Sequence, residues 1–475
     1  MRKTKIICTL GPSTDVDGVM EELVKNGMDV ARFNFSHASH DEQLGRIQKL
    51  RELRKKYNKH VAALLDTKGP EIRLKEFKNG EITVNEGDTF TLTTEDIEGD
   101  ETKVSITYKD LPKDLSVGDR VLIDDGLIEL KVNKLTDTDI ICTVVNGGVM
   151  SNKKGVNVPG VKLSMPYLSE QDKKDILFGI ENGYDFIAAS FVSSASDVLQ
   201  IRRLLEENNC YTINIIAKIE NMEGVKNIDE IIQVSDGIMV ARGDMGVEIP
   251  AEDVPVYQKM IIKKVYNAGK QVITATQMLE SMVKNPRPTR AETADVANAI
   301  YDGTSAIMLS GETAAGHYPI EALKTMVKIA VRTEEDIDYI KRFFYLQRKA
   351  NPNITDAISH ATVTTAHDLN AKCIITVTKS GTTARLLSRY RPGCDVIACT
   401  THENVARQMN LSWGVTPIIV DEKKEPFDLI HHAVEKLEEA KLVEIDDIVV
   451  FTAGVPLGMA GTTNMIKVHV VGREA

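Results

Sequence analysis

The chain has 475 residues, which at roughly 150 residues per domain suggests about three domains. Its 42% hydrophobic and 27% charged residues fit a protein with a sizeable core and exclude disorder, collagen and coiled coil. A net charge of −11 argues against nucleic acid as a partner, and no apolar run approaches the ~20 residues of a membrane span.

The basic start, MRKTKIICTLGPS, meets a Gly-Pro turn too soon for a signal-peptide core. Six scattered cysteines (Cys8, Cys142, Cys210, Cys373, Cys394 and Cys399) form no CxxC pair and fit free thiols in a reducing cytoplasm. Short β-branched runs then recur at 5–10, 29–35, 61–68, 186–192, 214–219, 237–242, 271–276 and 306–311. Helix-spaced stretches such as DVDGVMEELVKNG, DEQLGRIQKLRELRKKY and SDVLQIRRLLEENN follow most of them. Strand and helix in alternation imply parallel pairing, and eight such units predict a closed (β/α)8 barrel over residues 1–69 and 167–340.

Residues 70–166 interrupt the series with GEITVNEGDTFTLTT, TKVSITYKDL, GDRVLIDDGLIELKV and DTDIICTVVNGG. Apolar and polar residues alternate there between Gly, Asp and Asn turns, the pattern of a small β-rich domain. Placed after a barrel strand, it is expected to overhang the mouth as a lid that excludes water. From 341 to 475 the αβ pattern restarts with CIITVT, VIACTT, TPIIVD, DIVVFT and MIKVHVV, predicting an open α/β sheet with a boundary near RFFYLQRKANPN.

In a (β/α)8 barrel, functional groups gather at the C-terminal ends of the strands. Here these ends supply Arg32, Asn34 and Ser36; Asp66, Thr67 and Lys68; Ser190; Lys218 and Glu220; Arg242 and Asp244; Thr274 and Thr276; Ser310 and Glu312. Cations and carboxylates converge without a Ser-His-Asp set or a zinc-binding strand end, which suits hard cations and an anionic, oxygen-rich substrate. In IIAKIEN the period of two puts Lys218 and Glu220 on one side of a strand. Glu220 with Asp244 of VARGDMG makes a minimal Mg²⁺ platform, and Lys218 beside them can stabilise a transferring phosphoryl group. The competing reading is a structural ion pair, which is costly for three charges without a ligand. Gly243 and Asp244 are read as opening a short helix whose N–H groups face an anion, against a bland turn. Arg32 suits a phosphate clamp. The oxygens of Asn34, Ser36, Asp66 and Thr67 suit a larger monovalent cation, against ordinary hydrogen bonding between strands.

Taken in order, MRKTKIICTLGP, RFNFSHA, LLDTKGPEIR, KKGVNVPG, IIAKIENMEG, VARGDMGVE, ATQMLESM, PRPTRAE and IMLSGETAAGHYP resemble the pyruvate kinase family along the whole chain. The resemblance implies phosphoryl transfer from phosphoenolpyruvate to ADP, giving pyruvate and ATP, with Mg²⁺ (or Mn²⁺) and K⁺ as cofactors. It implies Glu220 and Asp244 as Mg²⁺ ligands and Asn34, Ser36, Asp66 and Thr67 as K⁺ ligands. Lys218 and Arg32 then meet the phosphoryl group, and Gly243, Asp244 and Thr276 hold the substrate carboxylate. Asn34, His37, Arg73 and Lys154 are implied nucleotide contacts, Lys154 reaching in from the lid. Thr276 and Ser310, through a relay, are the expected route of the proton to the enolate carbon. Glu71 in GPEIR resembles the K⁺-requiring members, since a lysine there would replace the monovalent cation.

Ser380, Gly381, Thr382 and Thr383 follow a strand and open a helix, which makes either plain capping or a phosphate pocket. The resemblance favours an allosteric phosphate loop. Its companion AGVPLGMAGTTN has no Lys or Arg, which puts a bisphosphate in doubt and leaves a monophosphorylated sugar or nucleotide. A compact bacterial-type homotetramer, without an animal-type N-terminal extension or an appended C-terminal domain, is the expected form. Two other classes stay open: an Mg²⁺-dependent lyase or mutase of the phosphoenolpyruvate/pyruvate barrel group, which needs neither lid nor K⁺ set, and a non-catalytic sensor, which would not need Lys218, Glu220 or Asp244.

Overall fold

A computed structural model of the protein describes residues 1–345, 353–423, 425–455 and 463–473. Most of the predicted boundary segment RFFYLQRKANPN (346–352 of 342–353) and most of AGVPLGMAGTTN (456–462) lie outside the described residues.

The eight β-branched runs form a closed parallel barrel, as their pattern implies. Its strands are Lys5–Leu10, Val30–Asn34, Ala62–Asp66, Phe186–Ala189, Asn214–Ile219, Gly237–Ala241, Gln271–Ala275 and Ala306–Leu309. They are almost wholly buried because helices cover the outside and side chains fill the inside, so continuous apolar runs rather than alternation mark them. Ile7, Val30, Leu64, Phe186, Ile216, Met239 and Ile273 pack within the barrel. The runs read from sequence extend past several strands because their polar ends, including Thr67 and Ser190, leave the sheet to line the mouth.

Between the third and fourth barrel strands the chain builds a seven-stranded sheet and a two-stranded sheet around Phe90, Leu92, Val121, Ile123, Leu130 and Ile140. This β-rich unit touches the barrel at the mouth, where Asn157 Nδ2 donates to Glu248 Oε1 at 3.3 Å. The C-terminal unit is a five-stranded sheet with helices packed against it. Four of its strands are parallel, whereas the last, Thr463–Val470, runs antiparallel to Ile448–Gly454.

The C-terminal unit docks on the opposite end of the barrel from the mouth. Lys5 Nζ donates to the Val415 carbonyl at 2.7 Å, Asn410 Nδ2 to that of His60 at 2.7 Å, and Gln408 Nε2 to those of Asp185 and Thr212. Leu411, with no exposed surface, plugs the barrel interior from below. Among the described residues no helix is long and apolar enough to cross a membrane.

Candidate active site

Register explains why the charges meet. Asn34 pairs with Asp66 across neighbouring strands, and the Phe186–Ala189 strand, which leads into Ser190, pairs on one side with the Asp66 strand and on the other with the Lys218 strand, so Arg32, Asp66, Lys218 and Glu220 rise from one arc of strand ends into one mouth. Asp66 sits at the centre. Its Oδ2 lies 2.5 Å from Arg32 Nε, its Oδ1 3.2 Å from Lys218 Nζ, and Ser190 Oγ is also 3.2 Å away. Arg32 Nη1 donates to Thr9 Oγ1 at 2.9 Å, and Lys218 Nζ to Ser190 Oγ at 2.8 Å. Burial opposes the Asp66 carboxylate, yet Arg32 and Lys218 outweigh it and hold its pKa below the ordinary value. Burial likewise disfavours charge on Lys218, but Asp66 and Glu220 keep it protonated, with its pKa raised.

Glu220 has no exposed surface, and burial pushes its carboxyl up to about 7 against the pull of Lys218. Oε2 accepts from the Phe191 amide at 2.6 Å. Oε1 lies 2.9 Å from Lys218 Nζ but receives no aligned hydrogen bond, leaving an acceptor aimed at the mouth. Asp244, in the first turn of the helix Arg242–Glu248, has no hydrogen bond or ion pair among the described residues. Asp244, together with Glu220 Oε1, which faces only Lys218, fits the donor chemistry of Mg²⁺, an ion that keeps other positions for substrate and water. Asn34 and Asp66 end neighbouring strands, with Ser36 and Thr67 just beyond them; Thr67 Oγ1 donates to the Ala188 carbonyl at 3.3 Å and accepts from the Ser190 amide at 3.2 Å. Asn34 Oδ1 accepts from the Ser36 amide at 3.0 Å, and the Asp66 carbonyl accepts from the Phe35 amide at 3.1 Å.

Thr276 holds φ at 69°, in the left-handed region that β-branched residues avoid. Its Oγ1 accepts from the Gly243 amide at 2.7 Å, which joins the two elements expected to hold an anion. Arg242 fixes that junction from behind, through the carbonyls of Ala275 and Thr276 and an ion pair with Asp295 at 2.7 Å. Ser310 stands at the N-cap position of the short helix Gly311–Ala314 without a side-chain cap bond, and its buried Oγ has no hydrogen-bond partner among the described residues.

At the lid hinge, Glu71 lies 2.5 Å from Arg73 and 4.0 Å from Lys68. Arg73 Nη1 donates to the Lys153 carbonyl at 2.7 Å, and Lys154 Nζ pairs with Asp124 at 2.8 Å. His37 stands near this group: burial, then Arg73, lower its pKa. In the C-terminal unit Gly381, at φ 76°, precedes the helix Thr382–Arg389. Ser380 Oγ meets Thr382 Oγ1 at 3.0 Å, whereas Thr383 turns inward to Thr463 at 2.7 Å.

Several groups were not singled out from sequence. Thr9 braces Arg32, the Phe191 amide (φ 54°) braces Glu220, and the lid turn Asp124–Asp125 faces the mouth. Burial and the neighbouring Asp244 and Asp124 raise the Asp125 pKa, and a Cβ at the next residue, Gly126, would stand 3.8 Å from Val247 in the helix Arg242–Glu248. The acidic pair before glycine in LIDDGL was the available signal for that turn; Thr9 and Phe191 gave none.

Comparison with known proteins agrees with this geometry. Residues 1–323 match the family model for the pyruvate kinase barrel domain, and residues 356–469 that for its alpha/beta domain. A pyruvate kinase of Clostridium acetobutylicum is 53% identical over 99% of this chain and 100% of its own. One from Geobacillus stearothermophilus is 52% identical over 99% of this chain and 80% of its own. A crystal structure of a pyruvate kinase from Cryptosporidium parvum superposes with a TM-score of 0.94 at 41% identity, covering 99% of this chain and 96% of that one. With both family domains matched and relatives this close over its full length, the chain is a phosphotransferase that belongs to the pyruvate kinase family.

Proposed function

We propose that the chain transfers the phosphoryl group of phosphoenolpyruvate to ADP in glycolysis, in an Mg²⁺- and K⁺-dependent reaction in the cytoplasm. The observation that carries this reading is Lys218, held charged between Asp66 and Glu220 at the barrel mouth, with Arg32 and Asp244 beside it. Phosphoryl transfer needs alignment and charge neutralisation more than covalent help. Glu220 and Asp244 would hold Mg²⁺, and Asn34, Ser36, Asp66 and Thr67 would hold K⁺; the two ions supply positive charge to the phosphoryl oxygens.

Arg32 and Lys218 bind the phosphoryl group, Lys218 following it as the bond to the enol oxygen breaks and the bond to the ADP β-phosphate oxygen forms. Thr276 and the amides of Gly243 and Asp244 hold the carboxylate. His37, Arg73 and Lys154 engage the nucleotide as the lid closes, with Asn34 below them. The enolate left behind takes a proton on carbon, supplied through Thr276 or Ser310 and an intervening water chain. A hydroxyl alone is too weak an acid, so the relay must draw from solvent.

Glu71 supports a K⁺ requirement, because a carboxylate rather than a lysine stands at that position of GPEIR. Activity in K⁺ is expected to vanish when tetramethylammonium replaces it; equal activity in both contradicts the assignment. Ser380, Gly381 and Thr382 would bind a phosphorylated sugar or nucleotide activator of a homotetramer, with Thr383, whose hydroxyl is turned inward to Thr463, contributing its backbone. Substrate saturation curves unchanged across a panel of such compounds would remove that regulatory role.

A further inference from the structure

The carboxylates around Lys218 Nζ hold its charge without aiming it. Asp66 Oδ1 and Glu220 Oε1 lie 3.2 and 2.9 Å away, and Oε1 receives no aligned hydrogen bond. The one aligned hydrogen bond that Nζ makes among the described residues goes to Ser190 Oγ, at 2.8 Å. Attraction between charges depends on distance and little on direction, whereas a hydrogen bond weakens steeply off its axis. The direction of the ammonium is therefore set by Ser190.

Ser190 is itself fixed from two sides. It is buried, its amide donates to Thr67 Oγ1 at 3.2 Å, and its carbonyl accepts from the Tyr167 hydroxyl at 3.0 Å. A serine hydroxyl carries one hydrogen and two lone pairs, and a lysine ammonium only donates. Two acceptors compete for that hydrogen, the Thr67 carbonyl at 2.7 Å and Asp66 Oδ1 at 3.2 Å. The shorter contact commits it to Thr67, and the oxygen turns a lone pair to Lys218. Thr67 and Asp66 both belong to the set expected to hold a monovalent cation, so one buried hydroxyl stands between that set and the ammonium.

We propose that Ser190 is a positioning residue whose hydroxyl aims the Lys218 ammonium and ties it to the Thr67 carbonyl in the monovalent-cation set. This inference rests on the phosphoryl-transfer reading of the mouth. An ammonium held by charge alone swings between Asp66 and Glu220, and a misaimed donor forfeits much of what preorganised charge supplies to a transferring group. Without the hydroxyl the Thr67 carbonyl also loses its donor and is freer to turn away from a cation. Alignment of Lys218 and affinity for the cation therefore fall together.

Ser190→Ala in the full chain tests the proposal, at constant ionic strength made up with tetramethylammonium. With phosphoenolpyruvate, ADP and Mg²⁺ saturating, kcat is expected to fall at least tenfold and half-saturating K⁺ to rise at least threefold. The KM for ADP is expected to stay within twofold. In the Lys218→Met background the same substitution is expected to change kcat less than twofold, because its effect passes through Lys218. A second readout needs no turnover: the thermal midpoint of the substrate-free protein, titrated with K⁺. Its half-saturation is expected to rise at least threefold in Ser190→Ala, while the midpoint without K⁺ moves by no more than about 2 °C. Should the natural chain show no turnover, the phosphoryl-transfer reading falls, and the K⁺ titration still decides whether Ser190 serves the cation set. A kcat within twofold of the natural value, an unshifted K⁺ titration, or an equal loss in the Lys218→Met background overturns the proposal.

Discussion

Thr276 carries its side chain on a backbone conformation that costs on the order of 1–3 kcal/mol, and the hydroxyl so placed meets the Gly243 amide. Thr276→Ala keeps the strain and loses the hydroxyl. It is expected to lower kcat roughly 10²-fold, the scale of one oriented polar group, with little change in the thermal midpoint. His37 gives a pH prediction. Burial and Arg73 lower its pKa, so the native state binds fewer protons than the unfolded chain below about pH 6.5. The imidazole is therefore neutral at pH 7, and its contribution to stability is lost as the pH falls through that window; an NMR titration midpoint at or above the free-histidine value contradicts this. At this scale the sequence was most legible where spacing alone sets geometry. Lys218 and Glu220 share a strand face by the period of two, whereas Ser190 and Thr9 reach Lys218 and Arg32 only because the barrel closes.

The lid joins the barrel through two crossing segments, and one buried carboxylate pins both. Asp172 Oδ1 accepts from the amides of Lys68 and Gly69 at 3.1 Å, and Oδ2 from Ser169 Oγ at 2.6 Å. Gly69 is required there: its φ is 73°, and a Cβ would stand 2.9 Å from that of Ser190. Asp172→Ala leaves buried amides unpaired and is expected to cost about 3 kcal/mol in chemical denaturation. It should also raise the KM for ADP several-fold by loosening the lid. An unchanged denaturation midpoint would show that the hinge holds without it. The barrel strands were readable as continuous apolar runs and the lid as alternating ones, because burial on two faces or one leaves those different patterns. Asp172 was not: in SEQDKKD it reads as an ordinary helix-start acid, and its bonds to Lys68 and Gly69 span about a hundred residues of intervening lid.

Across the whole molecule, the mouth and the C-terminal unit occupy opposite ends of one barrel, and Leu411 enters the barrel core from below. Leu411→Ala is expected to cost about 2–5 kcal/mol and to lower the unfolding temperature of barrel and C-terminal unit together, as a single calorimetric transition. A barrel transition that stays in place while the C-terminal unit melts early would show the plug to be incidental. Nothing in NLSW marked Leu411, since an apolar residue after a helix packs against its own domain as readily as a neighbour. The central claim concerns the mouth: Lys218 stabilises a phosphoryl group passing from phosphoenolpyruvate to ADP. Its most direct test is pyruvate formation, coupled to lactate dehydrogenase, from phosphoenolpyruvate and ADP with Mg²⁺ and K⁺, for the natural chain and for Lys218→Met. The account predicts turnover in the first and a loss of roughly 10³-fold in the second, the upper range for removing one transition-state contact. Turnover undiminished in Lys218→Met, or none in the natural chain even with phosphosugars and AMP present, would contradict it.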